Sequence, residues 1–328
     1  MIGGDGDIQG MYYDIFNGDA DGIFSLHQYR LQHPQEKTFL LTGVKRDICL
    51  LSNLQDVENS SLSVFDISLD ANRSALLKLL RQGNRITYFD HHFAGDSISS
   101  PALESYIDTS ATICTSLIVN KILQNQHGLW AICGAFGDNL HESAMDLAKK
   151  HHLSEKQTGL LRQLGELFNY NGYGSNLDEL FFHPKVLYEA VRSYVDPFHY
   201  LEDSREIAVL QAGYEADITL AMQQKEITHS GKNRVYSLPD MPWAHRIVGV
   251  MSNIKARERT FAAHAIITEN QDGSLRISVR APLTDRRDAD TLCKLFPTGG
   301  GRAAAAGINN LPKDMLDRFL NSFHSFFS

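Results

Sequence analysis

The first half of the chain alternates short apolar runs with segments of helical periodicity. Apolar and β-branched residues cluster at 11–16, 62–67 and 85–89, whereas 23–32 and 71–83 carry apolar residues at helical spacing. Strands that alternate with helices in this way pair in parallel, and the helices cover both faces of the sheet. The pattern therefore predicts an α/β fold whose N-terminal part is a doubly wound, mainly parallel sheet.

Different patterns follow along the rest of the chain. The segment 110–124 is predicted to be an amphipathic helix that begins at a Ser or Thr cap, and 185–230 is predicted to be helical throughout. Beyond residue 234 the chain carries the short β-type runs VYSL, RIVGVM, AAHAIIT and LRISVRA, with a turn at 271–273. A glycine cluster at 298–307 then precedes a final helix.

These changes of pattern predict two domains and a connection between them. We expect a front domain at 11–190, a helical linker at 191–235 and a smaller, mixed α/β domain at 236–328. The length of 328 residues agrees with this division, because a single hydrophobic core seldom serves so long a chain.

Charge is unevenly distributed along a chain of ordinary globular composition. The net charge is −8, but residues 236–328 hold 12 Lys and Arg against 9 Asp and Glu, whereas the preceding residues hold 19 against 30. An acidic front half suits a cation site, and a basic back end suits a ligand that bears phosphate. The chain as a whole is too acidic for a protein that binds duplex DNA through a basic surface.

The sequence also bears on the compartment. The longest apolar run, 129–136, has eight residues and is too short to span a bilayer. The N-terminus lacks the basic and apolar segments of a secretion signal, and the four cysteines contain no CxxC pair. These features favour a cytoplasmic protein with no membrane partner, and they leave the oligomeric state open.

Polar side chains follow the ends of the predicted strands. The first strand runs into NGDADG at 17–22, the second carries Asp66 near its end, and the third ends in the triplet DHH at 90–92. A fourth apolar stretch, LWAICGAFGDN, ends in Asp138. Ligands of open α/β sheets bind beyond the carboxyl ends of the strands. These four segments are therefore expected to deliver carboxylate and imidazole groups to one edge.

Such a set of groups is what a site for two metal ions needs. Asp19 and Asp21 are two positions apart and would project to the same side of an extended loop, while Asp66 could bridge two ions through its two oxygens. His91 adds a nitrogen ligand, and a mixture of nitrogen and oxygen ligands favours Mn²⁺ over Mg²⁺. Two ions held in this way can clamp an in-line phosphoryl displacement.

Each of these features has an ordinary structural explanation when it is taken alone. The stretch NGDADG is also typical of a turn, and Asp66 could cap the helix at 71. The triplet at 90–92 could lie in a surface turn, and the glycine cluster could be a flexible turn before a helix. Their joint occurrence, in this order, favours the metal site.

The four segments, in this order, resemble the motifs of the DHH phosphoesterase superfamily, which is named after the triplet at 90–92. The residues SAT at 110–112 resemble the helix start between the third and fourth motifs of that family. The sequence TGGGRAAAAG resembles the glycine-rich phosphate or nucleotide loop of the associated DHHA1 domain. The resemblance covers 11–328 and implies a catalytic DHH domain followed by a DHHA1-like domain that binds the substrate. The architecture is similar to that of nanoRNases, oligoribonucleases and RecJ-type exonucleases.

The resemblance implies a phosphodiesterase or phosphatase that uses two Mn²⁺ ions, with Mg²⁺ or Co²⁺ as substitutes. One ion would be held by Asp19 and Asp66. The other ion would be held by four residues, and Asp66 would bridge the two ions. The four residues are Asp21, Asp66, His91 and Asp138. His92 would act as a catalytic group at the scissile phosphate, and Asp90 would orient the adjacent imidazoles.

Two positions depart from the family pattern. Asn17 stands where relatives carry a His or Asp ligand, so an amide oxygen would coordinate the first ion without adding charge. Arg302 stands where relatives commonly carry a His after the glycines, and its guanidinium could grip a terminal phosphate or a guanine edge through two donors.

The candidate substrate-binding residues lie in the back domain. The backbone N–H groups of the glycine cluster would bind phosphate beside Arg302. Arg257 and Arg280 are further candidate phosphate contacts. The full set is Arg257, Arg280, Gly299, Gly300, Gly301 and Arg302.

The substrate class follows from the same reasoning. A long single strand would require a continuous basic groove with stacking aromatic side chains, so a short linear nucleotide is expected instead. The predicted reaction is the hydrolysis of dinucleotides such as pGpG or pApA, or of very short RNAs, to mononucleotides. The alternatives are a pAp phosphatase, a cyclic-dinucleotide phosphodiesterase of second-messenger signalling, a pyro- or polyphosphatase, and a non-catalytic nucleotide sensor.

Overall fold

The computed structural model describes residues 10–270 and 272–328. They form two compact units: the described residues up to Gly172 with Asn176–Gln211, and Tyr173–Ser175 with Ala212–Ser328. The N-terminal residues in which no secretion signal is recognised lie outside the described residues, as does the first residue of the predicted turn at 271–273.

The first unit is built on a parallel five-stranded sheet in the order β2-β1-β3-β4-β5, with every neighbouring pair parallel. The strands are β1 Tyr12–Phe16, β2 Phe39–Thr42, β3 Ser61–Phe65, β4 Arg85–Asp90 and β5 Leu103–Ile107. The predicted parallel α/β sheet is therefore confirmed. The order reverses at β1, between β2 and β3, and such a switch point is where open sheets form their binding sites. The sequence pattern did not predict β2 and β5, which are edge strands with partly exposed side chains.

Nine helices accompany this sheet in the described part of the chain, the last of them crossing into the second unit. They are α1 Ala20–Gln32, α2 Leu69–Arg81, α3 Thr115–Ile122, α4 Gly128–Gly137, α5 His141–Lys150, α6 Glu155–Asn171, α7 Pro184–Val191, α8 Pro197–Asp203 and α9 Arg205–Met222. The side chain of Ser68 caps α2, so Asp66 is not the cap of that helix. The predicted Ser or Thr cap of α3 is also wrong, because α3 follows Cys114 without a side-chain cap.

The fourth apolar stretch is helix α4 and not a strand. Nearly all of its residues are buried, including Trp130 and Phe136. A helix that is enclosed on every side is apolar all round, so its sequence lacks the periodicity by which helices are recognised. Asp138 therefore reaches the site from the C-terminal end of a helix.

A buried ion pair fixes β1 to α1. Asp14 is fully buried, and both of its oxygens accept hydrogen bonds from the Arg30 guanidinium, with Nε donating at 2.9 Å to Oδ2. Ser63 of β3 accepts a further hydrogen bond from Arg30 at 3.2 Å. This contact ties together the elements that carry the first two predicted motifs.

The second unit contains a mixed six-stranded sheet in the order β10-β11-β9-β8-β7-β6, in which only β7 and β8 pair in parallel. Its strands and further helices are β6 Glu226–Ser230, β7 Asn233–Leu238, α10 Pro242–Glu258, β8 His264–Glu269, β9 Leu275–Arg280, α11 Ala289–Cys293, β10 Gly299–Arg302, β11 Ala305–Leu311 and α12 Leu316–Phe326. Ile277 and Val279 of β9 share a core with Phe319 and Phe323 of α12. The predicted mixed α/β character of this part is confirmed.

Two predictions about the back half are wrong. The run RIVGVM lies within α10, where Ile247, Val248 and Gly249 are buried. The region 185–230 is not helical throughout, because α9 ends at Met222 and β6 begins at Glu226. The glycine cluster forms the antiparallel hairpin of β10 and β11, and the final helix, α12, follows it as predicted.

No helix in residues 10–270 and 272–328 combines the length and the apolar character that crossing a bilayer requires.

Candidate metal centre

Asn17 follows β1 and presents an unpartnered oxygen. Its backbone N–H donates to Phe65 O at 3.1 Å, which holds it to the end of β3. Its side-chain Nδ2 donates to Lys45 O at 3.0 Å, while Oδ1 is buried and accepts no hydrogen bond within the described residues. A buried acceptor without a donor is costly, and a bound cation would remove that cost.

Asp19 has two roles at the start of α1. Its Oδ1 accepts from Gly22 N at 3.0 Å, which caps the helix. Its Oδ2 forms an ion pair with Lys45, whose ammonium also donates to Asn169 Oδ1 at 2.9 Å. The ammonium holds the pKa of Asp19 below its usual range, although burial alone would raise it.

Asp21 faces the N-terminus of α3. Its Oδ2 accepts from Thr115 N at 2.8 Å, and its Oδ1 accepts from Ser116 N at 2.7 Å. Asp21 thus supplies the capping that α3 lacks from its own N-cap side chain. Each carboxylate oxygen has a second lone pair, so the predicted role as a metal ligand stays compatible with these bonds.

Asp66 lies directly after β3 with its backbone in the left-handed region, at a φ of 59°. Asp and Asn tolerate this conformation better than other non-glycine residues. Its Oδ1 accepts from Thr115 Oγ1 at 2.9 Å and lies 3.4 Å from His91 Nε2. The turn therefore directs the carboxylate along the sheet edge to the imidazole that follows β4.

His91 is held in one tautomer by a backbone carbonyl. Its Nδ1 lies 3.0 Å from Ile113 O, and a carbonyl can only accept, so Nδ1 carries the proton. The other ring nitrogen, Nε2, points to the carboxylates, at 3.4 Å from Asp66 Oδ1 and 3.8 Å from Asp138 Oδ2. Metal-binding histidines are commonly oriented in this way.

Asp90 is the last residue of β4 and organises the two histidines after it. Its Oδ1 accepts from the backbone N–H groups of His91 and His92 at 2.8 and 3.2 Å, and from His92 Nδ1 at 2.7 Å. Its Oδ2 accepts from Leu69 N at 3.2 Å, at the start of α2. Burial lowers the pKa of His92, but the hydrogen bond and the charge of Asp90 outweigh burial and raise it above its usual value.

The carboxylates repel one another in a buried environment. Burial raises the pKa of Asp66 well above its usual range, and the charges of Asp21, Asp19 and Asp138 raise it further. Burial likewise raises the pKa of Asp138, although Lys45 and His91 oppose the shift. Several buried carboxylates that destabilise one another are the electrostatic signature of a site made for cations.

The structure brings the predicted ligands of the front half to one edge of the sheet. One ligand atom from each of Asp66, His91 and His92 lies within 4.8 Å of the others. Together with the unpartnered Asn17 oxygen and Asp138, they form a mixed oxygen and nitrogen donor set that fits Mn²⁺. His92 therefore lies close enough to Asp66 and His91 to share a cation with them, although it was predicted as a phosphate contact and not as a metal ligand.

Sequence reasoning missed three residues of this centre: Lys45, Thr115 and Asn169. Lys45 follows β2, and the strand that carries it to the edge was not recognised. Thr115 was treated as an interior residue of a longer helix. Asn169 belongs to α6 and is far from every motif in sequence, so only its contact with Lys45 at 2.9 Å reveals it.

The candidate substrate residues of the second unit lie on or beside its sheet. Arg280 of β9 is half-buried, donates to Asn253 Oδ1 at 2.9 Å, and has its pKa lowered by burial. Ala305 of β11 pairs with both Arg280 and Arg302, so the register places the two arginines on one face of the sheet. Arg257 is exposed and lies one helical turn after Asn253 on α10.

The three glycines beside Arg302 belong to an edge strand. Gly299 N donates to Phe296 O at 3.2 Å, so this N–H is not available to a phosphate. A Cβ at Gly300 would meet open space, whereas at Gly301, with a φ of 135°, it would collide with Ala306. The backbone of Gly300 and Gly301 at the sheet edge remains the candidate contact.

Comparison with protein-family models and with curated proteins gives no match for this sequence. Solved structures match it along almost the whole chain. A DHH-domain protein described as a member of a family of ribosomal proteins is 12% identical over 97% of this chain and 86% of its own, with a TM-score of 0.65. The exonuclease RecJ bound to manganese is 16% identical over 97% of this chain and 90% of its own, with a TM-score of 0.53.

A pGpG-specific phosphodiesterase from Vibrio cholerae is 12% identical over 96% of this chain and 98% of its own, with a TM-score of 0.51. At identities this low, the likeness establishes the fold. The resemblance predicted from the motifs is therefore confirmed at that level: the chain has the fold of the DHH-domain proteins.

Proposed function

We propose that this chain is a metal-dependent phosphodiesterase that hydrolyses short linear nucleotides. The observation that carries the proposal is the meeting of Asp66, His91 and Asp138 at one sheet edge, beside an Asn17 oxygen that lacks a donor within the described residues. The similarity in fold to a manganese-bound exonuclease and to a pGpG-specific phosphodiesterase supports the reaction class.

Two metal ions, most suitably Mn²⁺, would neutralise the phosphodiester and supply the nucleophile from water. We assign the first ion to Asn17, Asp19 and the bridging Asp66. We assign the second ion to four ligands, of which Asp66 is common to both ions. These ligands are Asp21, Asp66, His91 and Asp138. Thr115 orients the bridge through its hydroxyl, and Ile113 O fixes the His91 ring.

His92 is assigned to the reacting phosphate. Its Nδ1 is bound by Asp90, which leaves Nε2 to donate a proton to the leaving oxygen or a hydrogen bond to a phosphate oxygen. The raised pKa of His92 keeps its ring protonated to higher pH than that of an ordinary histidine. Asp90 acts on the ring and not on the substrate, so it is a positioning residue.

We propose pGpG, pApA and RNAs of a few nucleotides as substrates and mononucleotides as products. Arg280 and Arg302 share one face of the second sheet, which suits a ligand with more than one phosphate. Arg257, Gly300 and Gly301 are further candidate contacts. Gly299 lies beside them, but its N–H donates to Phe296 O, so it would contribute no hydrogen bond from its N–H.

The test is a substrate panel with the full-length protein and Mn²⁺. It contains 5′-phosphorylated dinucleotides, RNAs of increasing length, pAp and a cyclic dinucleotide. The products and the binding of each compound are measured, because opening a cyclic dinucleotide yields a linear dinucleotide and no mononucleotide. We expect dinucleotides to be cleaved fastest. If pAp or the cyclic dinucleotide were cleaved fastest, that compound would replace the linear dinucleotide as the proposed substrate. Binding of a compound without cleavage of any compound in the panel would indicate a nucleotide sensor.

The matched variants are Asp66→Asn and Asp146→Asn. Asn tolerates the left-handed backbone of position 66, so Asp66→Asn removes the charge without straining the turn. It should lower kcat by about 10²–10³-fold, because metal binding contributes several kcal/mol to such reactions. Asp146 is exposed on α5, so Asp146→Asn should match the wild type. Full activity of Asp66→Asn would refute the assignment.

A further inference from the structure

A lysine side chain lies among the carboxylates assigned to the metals. The Lys45 ammonium pairs with Asp19 Oδ2, donates to Asn169 Oδ1 at 2.9 Å and lies 3.7 Å from Asp138 Oδ1. The side chain of Lys45 is 25% exposed, whereas that of Asp19 is 2% exposed. A positive charge therefore already occupies part of the space in which a cation bound to Asp19 would lie.

The backbone around Lys45 holds it in this place. Lys45 N donates to Gly172 O at 2.8 Å, and Lys45 O accepts from Asn17 Nδ2 at 3.0 Å. Two residues further on, Asp47 Oδ2 accepts from Val44 N at 2.9 Å, which closes the turn after β2. The bond from Asn17 that anchors Lys45 also leaves the Asn17 oxygen facing inward, so the positions of Asn17 and Lys45 depend on each other.

We propose that Lys45 is a built-in cation that competes with the metal for the Asp19 position and thereby sets the metal affinity of the centre. A divalent ion on Asp19 Oδ2 would lie next to the ammonium, and the two charges repel strongly where burial limits solvent screening. Metal binding at Asp19 therefore requires the ammonium to leave that oxygen. This inference rests on the ligand assignment of the proposed function.

The neighbouring residues support a displaceable cation. Asn17 is neutral, so Asp19 is the source of negative charge nearest to Lys45, and the ammonium neutralises it in the metal-free protein. Asn169 offers a neutral acceptor that no predicted metal position uses, so Lys45 keeps a partner after it leaves Asp19. Lys45 thus compensates the charge of Asp19 in the absence of metal, and the centre binds metal less tightly than its carboxylates alone would.

The test is a titration of chelator-treated, full-length protein with Mn²⁺. The affinity is measured by calorimetry and, independently, from the electron paramagnetic resonance signal of free Mn²⁺. Lys45→Met should bind at least one Mn²⁺ tenfold or more tightly than the wild type. Lys45→Arg keeps the charge and should not gain affinity. Lys149→Met is the matched control, because Lys149 is exposed and pairs with the exposed Asp146, and the net charge changes equally.

A second variant covers the case in which Lys45→Met does not fold without metal. Lys45→Gln keeps a hydrogen-bond donor for Asp19 and removes the charge, and it should also gain at least tenfold in affinity. The thermal midpoint should rise more on addition of Mn²⁺ in both variants than in the wild type, since the metal replaces a missing cation.

The outcomes separate this inference from the proposed function. Mn²⁺ binding that depends on Asp66 but is unchanged or weakened in both Lys45→Met and Lys45→Gln would overturn the role of Lys45 alone. An absence of Mn²⁺ binding in the wild type and in both Lys45 variants would overturn the role of Lys45 together with the metal centre.

Discussion

At the scale of single residues, Asp66 is a carboxyl group whose ionisation its surroundings disfavour. Its pKa is raised well above the usual range, first by burial and then by neighbouring carboxylates, so at neutral pH the unfolded chain, in which Asp66 ionises freely, is favoured relative to the folded, metal-free protein. We expect Asp66→Asn to raise the free energy of unfolding of chelator-treated protein by about 1–2 kcal/mol, measured by urea denaturation. Asp146→Asn, on the surface, should leave it unchanged. A loss of stability in Asp66→Asn would contradict the repulsion.

Asp90 and His92 give a second prediction at this scale. Because the Asp90 charge raises the pKa of His92, Asp90→Asn should move the titration of the His92 ring to lower pH, as followed by NMR. If the protonated ring is the active form, the alkaline limb of kcat should shift in the same direction. We also expect kcat to fall about 10–100-fold, as is common when an orienting partner is lost. An unmoved titration would show that Asp90 does not control His92.

Single residues also show what the sequence could predict. That Asp66, His91 and Asp138 meet at one edge could be predicted from the sequence, because each is a charged or titratable residue at the end of an apolar segment. Lys45 follows an edge strand with only four residues, and a lysine near such a strand resembles any surface lysine. Its role becomes visible only when Asp19 and Asn169, which are distant in sequence, are brought to it by the fold.

At the scale of elements, Asp21 joins the candidate metal centre to α3. Its two oxygens accept from Thr115 N and Ser116 N, so Asp21→Asn would lose one acceptor and the charge at the N-terminus of the helix. We expect the free energy of unfolding of metal-free protein to fall by about 1–2 kcal/mol. Asp108→Asn is the control, because Asp108 accepts from Ser110 N in an exposed turn. Equal effects of the two variants would contradict this role.

The pair of Asp14 and Arg30 gives a prediction about β1 and α1. Removing one member leaves a buried charge without its partner, so Asp14→Ala should cost about 3–5 kcal/mol of stability in thermal or urea unfolding. The double variant Asp14→Leu, Arg30→Met should recover most of that loss, because neither charge then remains buried. A double variant as unstable as Asp14→Ala would indicate that packing, and not charge, fixes these elements.

The elements that were mispredicted have a common physical cause. Helix α4 is enclosed by other elements, so all of its faces are apolar and no period identifies it. Strand β10 is made of three glycines and an arginine, which have low strand propensity, and its pairing with β11 determines its structure. In both cases tertiary contacts decide the local structure, and a single sequence does not display such contacts.

At the scale of the whole molecule, each unit contains a buried histidine that strongly resists protonation. Burial lowers the pKa of His27 in the first unit to about 3 and that of His264 in the second to about 4. Both lie below the usual value, so the unfolded chain takes up protons below about pH 6.5 while the folded chain does not. Stability should therefore fall as the pH falls below about 6.5.

The two tryptophans of the chain, one in each unit, allow the effect to be assigned. Trp130 contacts His27 edge to face, with ring centroids 4.5 Å apart, and Trp243 lies in the second unit. In a Trp243→Phe background, urea unfolding followed by Trp130 fluorescence should show a loss from His27 of about 1.4 kcal/mol per pH unit below about pH 6.5. His27→Gln should remove that contribution, and His264→Gln should not. A slope that is unchanged in His27→Gln would refute the assignment.

The contacts around Lys45 span the first unit from Asn17 to Asn169. Synthesis on the ribosome proceeds from the N-terminus, so the first motifs emerge long before the residue that holds the ammonium between its acceptors. A nascent chain that has emerged as far as the DHH triplet would have Asp19, Asp21 and Asp66, but it would lack Asp138, α6 and Gly172. The contacts that hold Lys45 are therefore completed only after α6 has been synthesised, so the candidate metal centre cannot take its final form before most of the first unit has emerged.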